Sequence, residues 1–392
     1  MPMRARDPAE SHRVATPLEL LFDLTFVVGV SAVVSELAHA IAAGHPVEGL
    51  IGYFAVFFGI WWAWMNFTWF ASAFDCDDAP YRVLTMIQMG GVLVLAAGVQ
   101  PAFELADFRM AVAGYVIMRI ALVAQWLRVA GSVPEYRGTA LRFAIPIAIL
   151  QLLWVIRLGF PDPWALPAFL LFGVLELLVP VWAERRQLTP WHPHHIAERY
   201  GLFTIIVLGE SVLAATTAIL AARSIGGFSI ELAVVAISGL IVLFACWWLY
   251  FLEPDAPRLA ANRDLGLVWG YGHFGVFASL AAVGAGIEVT VEAVSGHVTA
   301  SPLLVGFSVA LPLAAFLAIR YALYVRIGGE RPIRPWLFAV EMAVMLAIPL
   351  VSAWLSPAWV LASVAAGAAG LVVLKSRLRA RQPRVQPSVS LG

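Results

Sequence analysis

Charge is what this sequence lacks most. Only 13% of its 392 residues are Asp, Glu, Lys or Arg, against roughly 25% in an ordinary soluble domain. Hydrophobic residues supply 61% and the mean hydropathy is +0.85. A soluble chain of this length cannot hide so much apolar surface, so a soluble globular fold is excluded and the solvent is lipid. Cysteine is nearly missing too. Cys76 and Cys246 both fall on the inner side of the topology below, and are expected as free thiols because that side is reducing. No G-x-x-x-x-G-K-[ST], H-E-x-x-H, G-x-S-x-G or dinucleotide glycine pattern occurs. ATP-driven work and an evident catalytic nucleophile are thereby excluded, and no cofactor is expected. The formal net charge is zero and no basic groove pattern is present, so nucleic acid is not an expected partner.

What the chain does have is long apolar runs and aromatics, with 15 Trp and 23 Phe suited to membrane-interface belts. A spanning helix needs about 20 mostly apolar residues. Twelve runs qualify: 18–42, 48–71, 83–103, 108–128, 140–159, 164–183, 199–222, 230–252, 266–288, 302–325, 335–354 and 357–375. The last two are separated only by "LSPAW" and can also be read as one broken helix. The start, "MPMRARDPAESHRVATPLEL", carries Asp7, Pro8 and Glu10 among its basic residues, and no small-residue cleavage site follows. The first run is read as an uncleaved first helix. The expected fold is an all-α polytopic integral membrane protein whose main partner is the lipid bilayer.

Basic residues test that count. With the N-terminus inside, 20 of the 25 Lys and Arg lie on inner segments. Arg109, Arg157 and Arg223 lie outside, and Arg119 and Arg320 fall within helices. One missed or invented helix would destroy this positive-inside bias. Both termini are expected in the cytoplasm and the protein in the inner membrane.

"LELLFDLTFVVGVS" can be laid over "AERYGLFTIIVLGES" so that Glu19 meets Glu198 and Thr25 meets Thr204. "WWAWMNFTWF" and "CWWLYF" follow at a nearly equal offset. Two parallel six-helix pseudo-repeats are the expectation, arranged as in repeat-built transporters. The corresponding segments are a tail at 1–15, a first half at 16–186, a linker at 187–197, a second half at 198–375 and a basic tail at 376–392.

Charges inside the spans are the candidate chemistry. Glu210 lies twelve residues, about 18 Å of helix rise, beyond Glu198. A charge near mid-bilayer costs about 2.5–3.5 kcal/mol on insertion scales, so it faces a cavity or a partner. Either a proton, an ion or an arginine meets it. Arg119 and Arg320 cannot shed their protons and need an anion. Glu176 and Glu341 are the obvious carboxylates, with the pairing left open. Thr16, Pro17 and Glu19 form a helix start of the capping-box kind. Asp23 lies one turn deeper, where capping cannot use it. Asp75, Asp77 and Asp78 precede Arg82 and read either as a solvated acidic loop or as oxygen ligands for a cation, without the Gly and Glu of a calcium loop. His192, His194 and His195 crowd a loop interrupted by Pro193, which is not expected as a designed metal site. His273 in span nine is either a packing residue or a proton shuttle.

Taken in order, "TPLELLFDLTFVVGVSAVVSELAHAI", "WWAWMNFTWFASAFDCDD…R", "HIAERYGLFTIIVLGESVLA", "WWLYF" and "YGHFG" resemble the bacterial low temperature requirement A (LtrA) family, to about residue 330 at least. The resemblance implies a polytopic inner-membrane protein of unassigned activity, named for a requirement for growth in the cold. The residues here that match its motifs are Glu19, Asp23, Asp75, Asp77, Arg82, Glu198, Arg199, Gly201, Gly209, Glu210 and His273. A fainter likeness to two-repeat endolysosomal potassium channels stops at Phe22 and Asp23, which are adjacent where those channels have "F-x-D", so no pore is carried over.

Three functions remain. The first is a secondary transporter or ion-conducting protein for a small ion or solute, with Asp23, Glu210, His273, Glu176 and Glu341 along its path and Arg119 and Arg320 holding it. The second is a membrane-integral enzyme acting on a lipid or quinone with a metal at the inner face. The third is a structural or accessory envelope protein.

Overall fold

The computed structural model describes the chain except residues 1–2, 8–9, 11–12, 228, 329–333 and 381–392, and leaves the side chains of Asp75, Asp162 and Ile225 undescribed. Of the basic residues counted above, Arg331, Arg381 and Arg384 therefore lie outside the described residues. Among those described, twelve helices are long and apolar enough to cross a membrane. They are α1 (Pro17–Ala42), α2 (Pro46–Ala73), α3 (Ala79–Ala97), α4 (Arg109–Ser132), α5 (Arg137–Arg157), α6 (Asp162–Ala183), α7 (Pro193–Gly226), α8 (Ile230–Phe251), α9 (Gly266–Val294), α10 (Pro302–Arg326), α11 (Pro335–Ala347) and α12 (Pro357–Ala380). The chain is an all-α multi-pass membrane protein, and its outer surface presents large apolar side chains such as Leu170, Leu171, Ile237 and Phe244.

Local chemistry places the helix starts. Thr16 caps α1 while Glu19 returns a bond to the Thr16 N–H, the reciprocal arrangement expected from "TPLE". Asp78, Ser229 and Ser301 cap α3, α8 and α10. A two-residue antiparallel ribbon pairs Arg4 with Asp75 and Ala5 with Phe74, folding the N-terminal segment back under α2.

Several boundaries differ from the hydropathy reading, and three of them have a local cause. Helix α7 starts at Pro193 rather than 199, because His192 caps it through the His195 N–H. The three histidines are thus a helix start and not a loop. Helix α9 runs to Val294, past Glu288, because the carboxylates at 288 and 292 are helical residues beside a cavity. Span eleven breaks into a 3-10 turn at Ile348–Ala353, where Pro349 cannot continue the α-helical bonding. Spans eleven and twelve are separate helices.

Helix α9 is the most enclosed of the twelve, and α1, α2 and α7 pack around it. Two crossings require glycine. On α3 and α4, Gly91 and Gly114 face each other so closely that a Cβ on Gly114 would sit 2.5 Å from the Gly91 carbonyl oxygen. On α9 and α10, a Cβ on Gly286 would sit 2.2 Å from the Ser308 carbonyl oxygen. Such backbone approach is how helices bind one another in lipid, where no hydrophobic force acts between them.

Glu184, just past α6, organises the link to α7. Its carboxylate accepts from the Thr189 hydroxyl and, at 3.3 Å, from the Thr189 N–H. Burial pushes its carboxyl above the ordinary 4.5, while the Thr189 bonds oppose the shift. The folded form therefore holds this proton more tightly than the unfolded form. Its contribution to stability is full below pH 4.5 and is lost as pH rises through the raised value. Glu184→Gln is expected to flatten the fall in unfolding midpoint over that window, followed by tryptophan fluorescence in detergent. Identical pH slopes in the two proteins would exclude this role.

Candidate functional site

The side chains singled out in sequence fall into several places. The first lies where α1 and α7 begin side by side, at the end of the bundle rich in basic residues. The cap and the "FD" step put Glu19 and Asp23 one turn apart on α1, and "ERY" puts Arg199 opposite them on α7. Arg199 donates to both Asp23 oxygens, Nε at 2.8 Å and Nη2 at 2.5 Å, while Trp64 Nε1 donates to Oδ1 at 2.7 Å. Arg199 Nη1 stands 3.3 Å from Glu19 Oε1, and His195 Nε2 stands 3.2 Å from the same oxygen. Arg13 closes the group, 3.7 Å from Glu19 and bonded to the Ala71 and Ser72 carbonyls. Two carboxylates thus meet two guanidiniums, all buried. Beyond them, on the basic side, is a cavity of about 570 Å³ lined by Arg6, Arg13, Glu19, Asp77 and Arg82 among others.

Above this cluster lies an aromatic layer. Trp64 stacks on Phe203 with ring centroids 4.3 Å apart, and Tyr200 lies against Trp269, His273 and Phe277. His273 belongs to this layer: Nδ1–H donates to the Trp269 carbonyl at 2.8 Å and Nε2 accepts from the Tyr250 hydroxyl at 3.2 Å. Both ring nitrogens are occupied, as in a packing histidine.

The buried arginines form separate pairs. Arg119 bonds Glu176 at 2.9 Å, and Glu176 also accepts from Trp62, Tyr115, Gln151 and Trp154. Five donors on one carboxylate leave no lone pair for a further ligand. Arg320 pairs with Asp255 at 2.9 Å and not with Glu341. Asp255 was missed because "LEPDAP" reads as a loop, and the chain there turns back under Arg320. Glu341 stands apart on α11, its oxygens without hydrogen-bond partners among the described residues.

Glu210 is in a different place again. With Glu288 and Glu292 of α9, Ser31 and Ser35 of α1, Thr217 of α7 and His297, it lines a cavity of about 460 Å³ toward the opposite end of the bundle. Glu210 itself is 9% exposed. Among the described residues, no Arg or Lys forms an ion pair with Glu210, Glu288 or Glu292, and Glu210 makes no hydrogen bond. On α7 it lies eleven residues, about 16 Å, from Arg199. The structure therefore does not gather Asp23, Glu176, His273, Glu341 and Glu210 along one cavity. Glu288 and Glu292 were missed because the span was ended at the first carboxylate. Their i, i+4 spacing was the available signal.

The other motif residues are structural neighbours. Asp77 is bidentate to Arg82, whose guanidinium holds its carboxyl below the ordinary carboxylate range. Asp78 pairs with Arg128 at 2.6 Å, so two of the three loop aspartates are already neutralised by arginine. The Asp75 side chain lies outside the described residues. Glu198 is partly exposed beside the Ala15 backbone. Gly201 admits Phe251, which would be 3.1 Å from a Cβ there, and Gly209 has open space.

The sequence model of the family described as Bacterial low temperature requirement A protein (LtrA) matches residues 14–373. An uncharacterized protein of Rhizobium meliloti (strain 1021) is 26% identical over 256 residues, covering 62% of this chain and 59% of that protein. The chain thus spans about three fifths of the length of this curated relative. No solved structure matches.

Asp23→Ala leaves a buried guanidinium with half its anionic partners. A cost of about 3–5 kcal/mol is expected, read as a lowered unfolding midpoint in denaturing detergent. Asp77→Ala, at an exposed pair, leaves the midpoint where it is. Equal effects of the two substitutions would contradict the distinction.

Proposed function

This chain belongs to the bacterial low temperature requirement A family, and we propose that it is an inner-membrane secondary transporter or ion-conducting protein that carries a proton or small cation along the seam between α1 and α7. The observation that supports this reading most directly is the cavity around Glu210. Three carboxylates share it and, among the described residues, no guanidinium or ammonium is paired with them. Carboxylates at such depth in a membrane are neutralised by something, and here protons or cations from the cavity take the place of arginine.

The seam gives the reading a geometry. One cavity reaches α1 at Ser31 and the other at Leu21. These positions are ten residues, about 15 Å, apart along the helix. That stretch is filled by the Asp23–Arg199 pair and the aromatic layer. Such an arrangement fits alternating access in a state open toward Glu210 and shut at the basic end. Asp23 and Arg199 then form the lock, and Glu210 the binding carboxylate. Glu176, Arg119, Arg320 and Asp255 hold helices in place around the path.

Orientation is part of the proposal. The 20-to-3 bias of basic residues supports an orientation with both termini in the cytoplasm and the Glu210 cavity toward the outside. The division into halves at 16–186 and 198–375 is part of the proposal as well. In support, glycine crossings join span three to four and span nine to ten, and a buried Arg–carboxylate pair sits in each half.

Flux of protons and of monovalent cations into proteoliposomes tests the function. Native protein is expected to conduct under an imposed gradient, Glu210→Gln to fall to the empty-liposome level, and the exposed Glu135→Gln to match native. A folded Glu210→Gln protein that conducts like native would sink the assignment.

A further inference from the structure

Three arginines stand at the end of the bundle that carries the Glu210 cavity, and their surroundings differ. Arg109 is exposed and holds Asp107 at 2.6 Å. Arg223 is exposed on the last turn of α7. Arg157, the last residue of α5, is only 9% exposed, and among the described residues no carboxylate pairs with it. Its Nε donates to the Ala165 carbonyl at 3.0 Å, and among the described residues no hydrogen bond is made by Nη1 or Nη2. Aromatic rings surround the guanidinium, with Phe169 at 5.4 Å, Phe108 at 5.6 Å and Trp154 at 6.0 Å from its central carbon.

Among the described residues, Arg157 is also the sole charged one lining a cavity of about 60 Å³ whose other walls include Phe58, Gly59, Tyr115, Trp154 and Phe169. The polar element stands at the helix end, and the apolar walls continue inward. Phe169 is seven residues into α6, about 10 Å of rise. One permanent cation at interface depth above an apolar aromatic slot matches a ligand that is anionic at one end and hydrocarbon at the other. Ring faces offset part of the cost of burying a guanidinium. They do not use its two terminal nitrogens, which form the fork that fits phosphate.

We propose that this is a binding site for an anionic phospholipid of the adjoining leaflet, with the phosphate on Arg157 Nη1 and Nη2 and the first part of one acyl chain in the slot. The site is separate from the Glu210 cavity. It wedges a lipid against α2, α4, α5 and α6, the helices that carry Trp62, Tyr115, Trp154 and Glu176.

The test uses the full chain in detergent, with mass spectrometry of intact complexes during titration. The probes are phosphatidylglycerol, phosphatidylcholine, neutral diacylglycerol and inorganic phosphate. The unsubstituted chain is expected to take up one phosphatidylglycerol in preference to the other three. Arg157→Gln should weaken that binding about tenfold, the loss of a charge-assisted bond. Gly59→Leu keeps the arginine and fills the slot. A Cβ there meets Tyr115 and Leu95 only at 3.9 and 4.0 Å, so the helix tolerates it, and a comparable weakening is expected. It also covers the case in which Arg157→Gln does not fold. Unchanged phosphatidylglycerol binding in a folded variant would overturn the proposal. So would diacylglycerol binding as tightly as phosphatidylglycerol, or inorganic phosphate displacing the lipid at equal concentration, the mark of a free-anion site.

Discussion

Arg199 bonds both oxygens of Asp23 in the interior of a membrane protein, and the arrangement of α1 and α7 follows from that contact. Removing two such charges from water costs several kcal/mol each, and only close geometry with further hydrogen bonds offsets it. Trp64 and Glu19 complete the set, at 2.7 Å from Asp23 and 3.3 Å from Arg199. The pair is thus less a source of stability than a device of register. Sliding α1 against α7 by one turn would leave an unpaired guanidinium in hydrocarbon. Everything near it is fixed in consequence: the Glu19 cap that also meets His195, the Arg13 fold-back onto the end of α2, and the aromatic layer that keeps water from the ions.

The molecule distributes its charge unevenly between the two ends of that seam. At the basic end, the buried carboxylates Glu19, Asp23 and, further round the bundle, Asp255 each have an arginine, as does the half-buried Asp78, while Glu184 is held by Thr189. Toward the other end, Glu210, Glu288 and Glu292 share a cavity with histidine and serine. Neutralised pairs suit a closed contact, because they need nothing from solvent. Unpaired carboxylates suit a binding surface, because they are completed only by what arrives. The same logic separates Glu176, saturated by five donors, from Glu210, which has none among the described residues.

The twelve spans were legible because lipid imposes a length and a composition that soluble packing does not. Helix starts were legible where a cap is local in sequence, as at Thr16 and Glu19. Partners were not, since a hydrogen bond between Asp23 and Arg199 joins residues 176 positions apart. Asp255 escaped because it sits in a polar break between helices and enters the bundle only by the turn of the chain. Glu288 and Glu292 escaped because acidic residues lower hydropathy at the very place where a cavity lets them remain helical. Arg157 was read as one of three outer loop arginines. Its burial among Phe108, Trp154 and Phe169 depends on three helices meeting, which no local pattern encodes.

Access to the seam from its two ends is the property to measure first. In a chain with Cys76→Ser and Cys246→Ser, both of which are buried, single cysteines can be placed at three depths. Thr217→Cys reports the Glu210 cavity, Asp77→Cys the cavity at the basic end, and Phe203→Cys the packed layer between them. A membrane-impermeant maleimide is then applied to one side of sealed vesicles at a time. Labelling of Thr217→Cys and Asp77→Cys from opposite sides, with Phe203→Cys protected from both, is the expected result. Labelling of the first two from the same side, or of Phe203→Cys from either side, would contradict two cavities separated by a closed ionic and aromatic seam.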